Sequence, residues 1–221
     1  MARSVVLQTS ERCPHCNLPP RWCICSGKRE VTSPLQVDVL MHHRERYRPS
    51  STGNLVQRVV AGARQHLWRR ERRLQAAEVA VPGRQLLILH PSGPPMPDDL
   101  PPEAAQVLLL DGSWREASAM AREVGAWGRT ASLPMTGESR YWLRAQQEGG
   151  RFSTVETLLF LYRAFGLDRA HDELQIQFEL HVYAGLRARG SIALAAEYLS
   201  TSPIRAALPE LLAQLHVRRP C

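Results

Sequence analysis

Four cysteines within thirteen residues constrain this chain more than any other feature. Cys13, Cys16, Cys23 and Cys25 stand in the run CPHCNLPPRWCIC, a C-x2-C followed after six residues by a C-x-C. Thiolates this close converge on one ion, and four of them match the tetrahedral shell of a structural zinc. A closed shell leaves no coordination position for water, so the site is expected to hold the chain together while the chemistry lies further along. A disulfide framework suits a secreted protein, but the preceding MARSVVLQTSER is too short and too polar for a signal segment. A redox C-x-x-C normally opens a helix, and Pro19-Pro20 forbid one here. His15 reads as a bystander inside the knuckle and Cys221 as a free thiol.

A chain of 221 residues can bury a full core. The expected organisation is a zinc-binding module over 1–30 and a catalytic α/β domain over 31–221. Hydrophobic residues make up 44% and mean hydropathy is −0.28, values of a soluble globular protein. No stretch approaches the ~18–20 apolar residues needed to span a bilayer, so a cytoplasmic location is the default expectation. The 28 basic and 21 acidic residues give a net charge of +7, and Lys28 is the only lysine. Arg44, Arg46 and Arg48 cluster in one loop; Arg69, Arg70, Arg72 and Arg73 cluster at the end of a predicted helix. Clustered cations attract a polyanion, although the second cluster reads equally well as a solvated helix face.

Periodicity predicts a strand over 35–41, a polar loop (HHRERYRPSSTG), and a helix over 54–74 with Leu55, Val56, Val59, Val60, Ala63 and Leu67 at helical spacing. Further strands are predicted over 85–90, 107–111 and 130–133, the second of these apolar throughout as in a strand covered on both faces. The six-proline stretch PSGPPMPDDLPPE must be irregular. Helices are predicted from the capping boxes at Ser113/Glu116 and Ser153/Glu156, the latter running to about 165. A long helix follows over 172–187, and a last one opens at Ser202-Pro203. Alternating strands and helices predict a mostly parallel sheet flanked by helices. Its ligands should bind beyond the carboxyl ends of the strands, where the segments after Met41, His90 and Asp111 meet.

The ordered set CPHC…WCIC, HHRERYRPSSTGNL, LILHPS, LLLDGSW, SRYWLR and STVETL resembles the DTW-domain family, the tRNA-uridine aminocarboxypropyltransferases, over roughly residues 13–166. The family signature Asp-x-Thr-Trp appears as Asp111-Gly112-Ser113-Trp114, with serine keeping the hydroxyl. The resemblance implies a SPOUT-like fold with a C-terminal trefoil knot. It also implies transfer of the 3-amino-3-carboxypropyl group of S-adenosylmethionine to N3 of a uridine in tRNA, with methylthioadenosine as by-product. The partners so implied are tRNA and the co-substrate, with no membrane and no obligate protein partner.

That reaction must orient the γ-carbon of the amino-acid arm, not the methyl, towards N3, and must accept the N3 proton. Asp111, at the carboxyl end of an apolar strand, is the candidate proton acceptor, against a reading in which it only supports the turn into the next helix. Ser113, Trp114, Tyr141, Ser153, Thr154 and Glu156 are candidates for cofactor contact. For Ser113, Ser153 and Glu156 plain helix capping competes with that role, and Trp114 serves equally as a stacking surface or as core. His43, Arg44, Arg46, Tyr47, Arg48 and Arg140 are candidates for RNA contact, since guanidinium forks match phosphates and Tyr47 can stack. His42 reads as a strand-end histidine bonded to backbone, and Arg144 as a contact to RNA or cofactor. Two rivals stay open: a SPOUT-type methyltransferase and a non-catalytic, zinc-containing RNA-binding protein.

Overall fold

The computed structural model describes residues 11–69, 71–72, 74–144 and 151–217. In chain order they form β1 (Gln36–His42), α1 (Thr52–Val59), β2 (Arg64–Trp68), α2 (Ala76–Val79), β3 (Gln85–Leu89), β4 (Ala105–Asp111), α3 (Trp114–Val124) and β5 (Arg129–Ala131). There follow α4 (Thr154–Ala164), α5 (Asp168–Ala188), α6 (Ile192–Ser200), α7 (Ile204–Ala207) and α8 (Pro209–His216).

Period-two alternation sorts the strand side chains onto two faces. Val37, Val39 and Met41 of β1 join Leu87, Leu89, Val107 and Leu109 in one core, closed by Leu55 of α1, Leu158 of α4 and Phe178 of α5. Leu40, Leu86, Ile88 and Leu108 pack the opposite core with Val79 of α2 and Met120 and Val124 of α3. The five strands pair in parallel in the order β2-β1-β4-β3-β5. The connection from β1 leaves towards β2, whereas that from β4 leaves the other way towards β5. The neighbours β1 and β4 therefore form a topological switch point, where the loops after the two strands part and open a crevice.

One buried carboxylate ties the second face. Asp38, fully buried on β1, accepts from Arg64 Nε (2.7 Å) and Nη2 (3.1 Å), from Gln106 Nε2 (2.8 Å) and pairs with His66 Nε2 (2.8 Å). Burial alone would raise its pKa, but these partners win and lower it.

The amino-terminal segment is not a detached lobe. Cys16, Leu18, Ile24 and Val31 belong to the first core, and Gln177 of α5 donates to the Gly27 carbonyl at 3.0 Å. A Cβ on Gly27 would stand 2.3 Å from a Leu211 methyl, so a larger residue there would require the Leu211 side chain on α8 to move.

Several sequence expectations are corrected. The helix predicted over 54–74 is α1 followed by β2. Val60 is already extended and Gly62 takes φ +69°, breaking the helix. Leu67 fell at helical spacing by coincidence. Arg69 and Arg72 therefore follow a strand rather than end a helix, and Arg70 and Arg73 lie outside the described residues, as does Cys221. The carboxyl-terminal region holds an unforeseen α6. Pro203 stands just ahead of α7, and Pro209 opens α8 separately. Among the described residues no helix is long and apolar enough to cross a membrane.

Candidate active site

The carboxyl ends of β3, β4 and β5 and the starts of α1, α3 and α4 build the site. At the switch point Asp111 of β4 stands in register with Met41 of β1. Alternation turns Asp111 towards α1 and α4, and it is only 2% exposed. Ser51, the N-cap of α1, donates from Oγ to Asp111 Oδ2 at 3.1 Å, and Thr154, the first residue of α4, donates from Oγ1 to Oδ1 at 2.5 Å. The Gly53 backbone N–H adds a further donor. A Cβ at Gly53 would fall 2.6 Å from Oδ2, so glycine is required for this approach. The carboxylate thus clasps the amino ends of two helices together. Burial nevertheless raises its pKa; the hydroxyl donors and Arg144 offset that only in part.

In front of this clasp lies a cavity of about 310 Å³ beyond the carboxyl ends of β3, β4 and β5, within the range of small-molecule sites. Leu89, Leu109, Leu133 and Met135 give it apolar walls. Gly112, Ser113 and Trp114 line it from the start of α3, and Ser153, Thr154 and Thr157 from the start of α4. Trp114 is 39% exposed, with the Arg151 guanidinium 5.7 Å from its ring centre. Both helices open with a full capping box. Ser113 N donates to Glu116 Oε2 at 2.8 Å, and Ser153 N to Glu156 Oε2 at 2.7 Å.

The structure brings Ser113, Trp114, Ser153 and Thr154 to one cavity. It does not bring Tyr141 or Glu156 there. Tyr141 is buried with its hydroxyl donating to the Ser50 carbonyl, and Glu156 accepts from Ser139 Oγ and Arg140 N as well as from Ser153 N. Asp111 lies behind the wall and meets the cavity through Thr154. Arg140 is no surface cation: it forks onto Glu179 at 3.0 and 2.9 Å, donates to Thr201 and covers the Tyr198 ring. His43, Arg44, Arg46, Tyr47 and Arg48 all sit exposed in the loop after β1, with Tyr47 78% exposed. His42 is buried against Trp68. Its Nδ1 faces Arg44 N and Glu116 Oε1, both at 3.3 Å, and burial lowers its pKa.

Three residues with a place at the site were missed or undervalued. His90 lines the cavity; its Nδ1 contacts Ser92 Oγ at 2.7 Å, and burial lowers its pKa. Arg144 also lines the cavity, and its Nη2 donates to Glu45 at 3.2 Å. Glu45 is fully buried although it stands between arginines in a polar run. In sequence that run looks like solvated charge, and nothing local marks one member as buried.

The cysteine cluster has the geometry of a metal shell. All four sulfurs lie within 4.8 Å of one another, with Cys13–Cys25 at 3.6 Å and Cys16–Cys23 at 3.8 Å. A tetrahedral ion with Zn–S bonds of about 2.3 Å sets the sulfurs about 3.8 Å apart. Burial would raise Cys13, but the Cys16 and His15 backbone N–H groups and the Cys25 thiol bring it down to about 6. Burial keeps Cys23 and Cys25 high. The set can hold a metal ion, and the short turns Pro20–Trp22 and Cys25–Gly27 that carry it replace any helix after Cys16.

The fold and site define an α/β protein with a parallel sheet and a cavity beyond the carboxyl ends of β3, β4 and β5. The DTW domain family matches residues 10–184, and the chain belongs to that family. Membership is consistent with a tRNA-modifying function. No solved structure gives a significant match.

Proposed function

We propose that this protein is a tRNA-uridine aminocarboxypropyltransferase, using S-adenosylmethionine to make 3-(3-amino-3-carboxypropyl)uridine and methylthioadenosine. The observation that carries the reading is the cavity itself. It has apolar walls sized for a purine nucleoside, two helix amino ends and two arginines. It opens beside the Asp-Gly-Ser-Trp turn that marks the family.

In this reading Leu89, Leu109 and Leu133 enclose the adenine, while Trp114 and Arg151 flank the target base by stacking. Exposed Arg44, Arg46, Tyr47 and Arg48, with His43, hold the RNA backbone and a neighbouring base. Asp111 acts from behind the wall. Uracil N3–H passes its proton to Thr154 Oγ1 as the Thr154 hydroxyl proton moves to Asp111 Oδ1. N3 bonds to the γ-carbon, the carbon–sulfur bond breaks, and the sulfonium leaves as a neutral thioether. Desolvation makes Asp111 a better base than a solvated carboxylate.

The finer expectations belong to the same proposal. The four cysteines hold structural zinc, and the segment over 1–30 is a module bracing α5 and α8 of the catalytic domain over 31–221. The sheet is of the SPOUT-like, knotted kind, and the protein works in the cytoplasm. Incubation of the protein with S-adenosylmethionine and unmodified tRNA, followed by product analysis, tests the reaction. Methylthioadenosine together with modified uridine supports it, and S-adenosylhomocysteine points to methyl transfer instead.

A further inference from the structure

The described lining of the cavity carries cations. Among the described residues lining it, Arg144 and Arg151 carry positive charge and none carries a carboxylate. The two cations are held differently. Arg151 lies against Trp114, which is partly open to solvent. Arg144 is fixed from behind by Glu45, and its guanidinium stands 5.5 Å from the Tyr141 ring centre. Glu45 divides its two oxygens: Oε2 takes Arg144 and Oε1 takes Arg48 Nη1 at 2.5 Å. Burial pushes the Glu45 carboxyl up, and Arg144 and Arg48 counter that only in part; the paired contacts to the two guanidiniums still hold Arg144 against Glu45. Among the described residues one of the Arg144 N–H groups is given to Glu45, and the planar fork has further N–H groups to offer a ligand. Arg144 lines the same cavity as Thr154, and its charge helps to lower the Asp111 pKa against burial.

We propose that Arg144, oriented by Glu45, recognises the carboxylate of the amino-acid arm of the sulfonium donor. This rests on the aminocarboxypropyl reading above and names the group that selects the arm. A guanidinium fork on that carboxylate anchors the arm's far end, so its γ-carbon, not the methyl, meets the nucleophile. Glu45 touches no ligand and is a positioning residue. Through Arg48 the same carboxylate connects the arm's anchor to the loop proposed for RNA.

Calorimetric titration of the full chain with S-adenosylmethionine and with methylthioadenosine, which lacks the arm, tests this. Arg144→Gln should weaken S-adenosylmethionine binding about ten- to hundredfold, as for a lost charge-assisted pair, and leave methylthioadenosine binding unchanged. Glu45→Gln should give a smaller loss with the same selectivity. Retained methylthioadenosine binding shows that each variant is folded. Equal weakening of both compounds, or no weakening of either, overturns the inference while the cofactor reading stands. Wild-type protein that binds neither compound overturns both.

Discussion

Asp111 and Asp38 are both buried strand aspartates, yet their surroundings push them in opposite directions. Asp38 has a guanidinium, an amide and an imidazole, and its pKa falls. Asp111 has mainly hydroxyl donors, and its pKa rises. The stability Asp38 contributes is therefore present above its unfolded value of about 3.9 and is lost as pH falls through its lower folded value. For Asp111 the sign reverses: its contribution is present below the unfolded value and is lost as pH rises through the raised folded one. Asp111→Asn should then gain stability relative to wild type as pH rises from about 4 to 7, as followed by urea unfolding. The same variant should lose about 10²–10⁴ in turnover while keeping tRNA affinity; unchanged turnover would remove Asp111 from the chemistry. Thr154→Val should share the loss, because the carboxylate reaches the cavity through that hydroxyl. Asp38→Ala should cost about 3 kcal/mol, the low end for a broken buried pair, because Arg64 retains access to water.

At the scale of elements, α4 depends on its first turn. Ser153 caps it, and the Glu156 carboxylate gathers N–H and hydroxyl donors from Ser153, Ser139 and Arg140. That arrangement makes Glu156 the joint between α4 and the loop before Tyr141, outside the lining of the cavity. Glu156→Ala should lower stability by about 1–3 kcal/mol through orphaned buried donors, read as a fall in urea midpoint at constant slope. The amino-terminal turns depend on the thiols instead. Pro19, Pro20 and the close Cys13–Cys16 spacing leave little regular structure to hold Leu18 and Ile24 in the core. Elemental analysis should find about one zinc per chain. Removing it with a strong chelator should lower the melting temperature and expose these apolar residues to a hydrophobic dye. Metal-free protein with an unchanged melting temperature would contradict a structural ion.

Across the whole molecule, the proposed RNA binding draws on a net charge of +7 and on the exposed loop after β1. Binding should weaken steeply with salt, because each neutralised phosphate releases counterions. Arg46→Gln should reduce the logarithmic salt slope by about 1 unit, whereas Arg140→Gln should act on stability because its fork is committed to Glu179. A filter-binding series over salt separates the two. The switch-point topology also explains why chemistry gathers at one edge. Parallel strands bring all their carboxyl ends together, and the reversal between β1 and β4 opens the crevice there.

By itself the sequence determined the features that are local in the chain. The C-x2-C and C-x-C spacing announced a sulfur cluster, the apolar run at 107–111 announced a central strand, and Ser113/Glu116 and Ser153/Glu156 announced two helix starts. Each is readable because its cause lies within a few residues. Tertiary structure decided which of these meet. It made Leu67 part of a strand, because parallel pairing with β1 outweighs a helical spacing broken at Gly62. It buried Glu45 between two arginines 99 and three residues away, and committed Arg140 to a partner 39 residues on. The pairs of Arg144 with Glu45 and of Arg140 with Glu179 follow from long-range packing, and no pattern in the chain specifies them in advance.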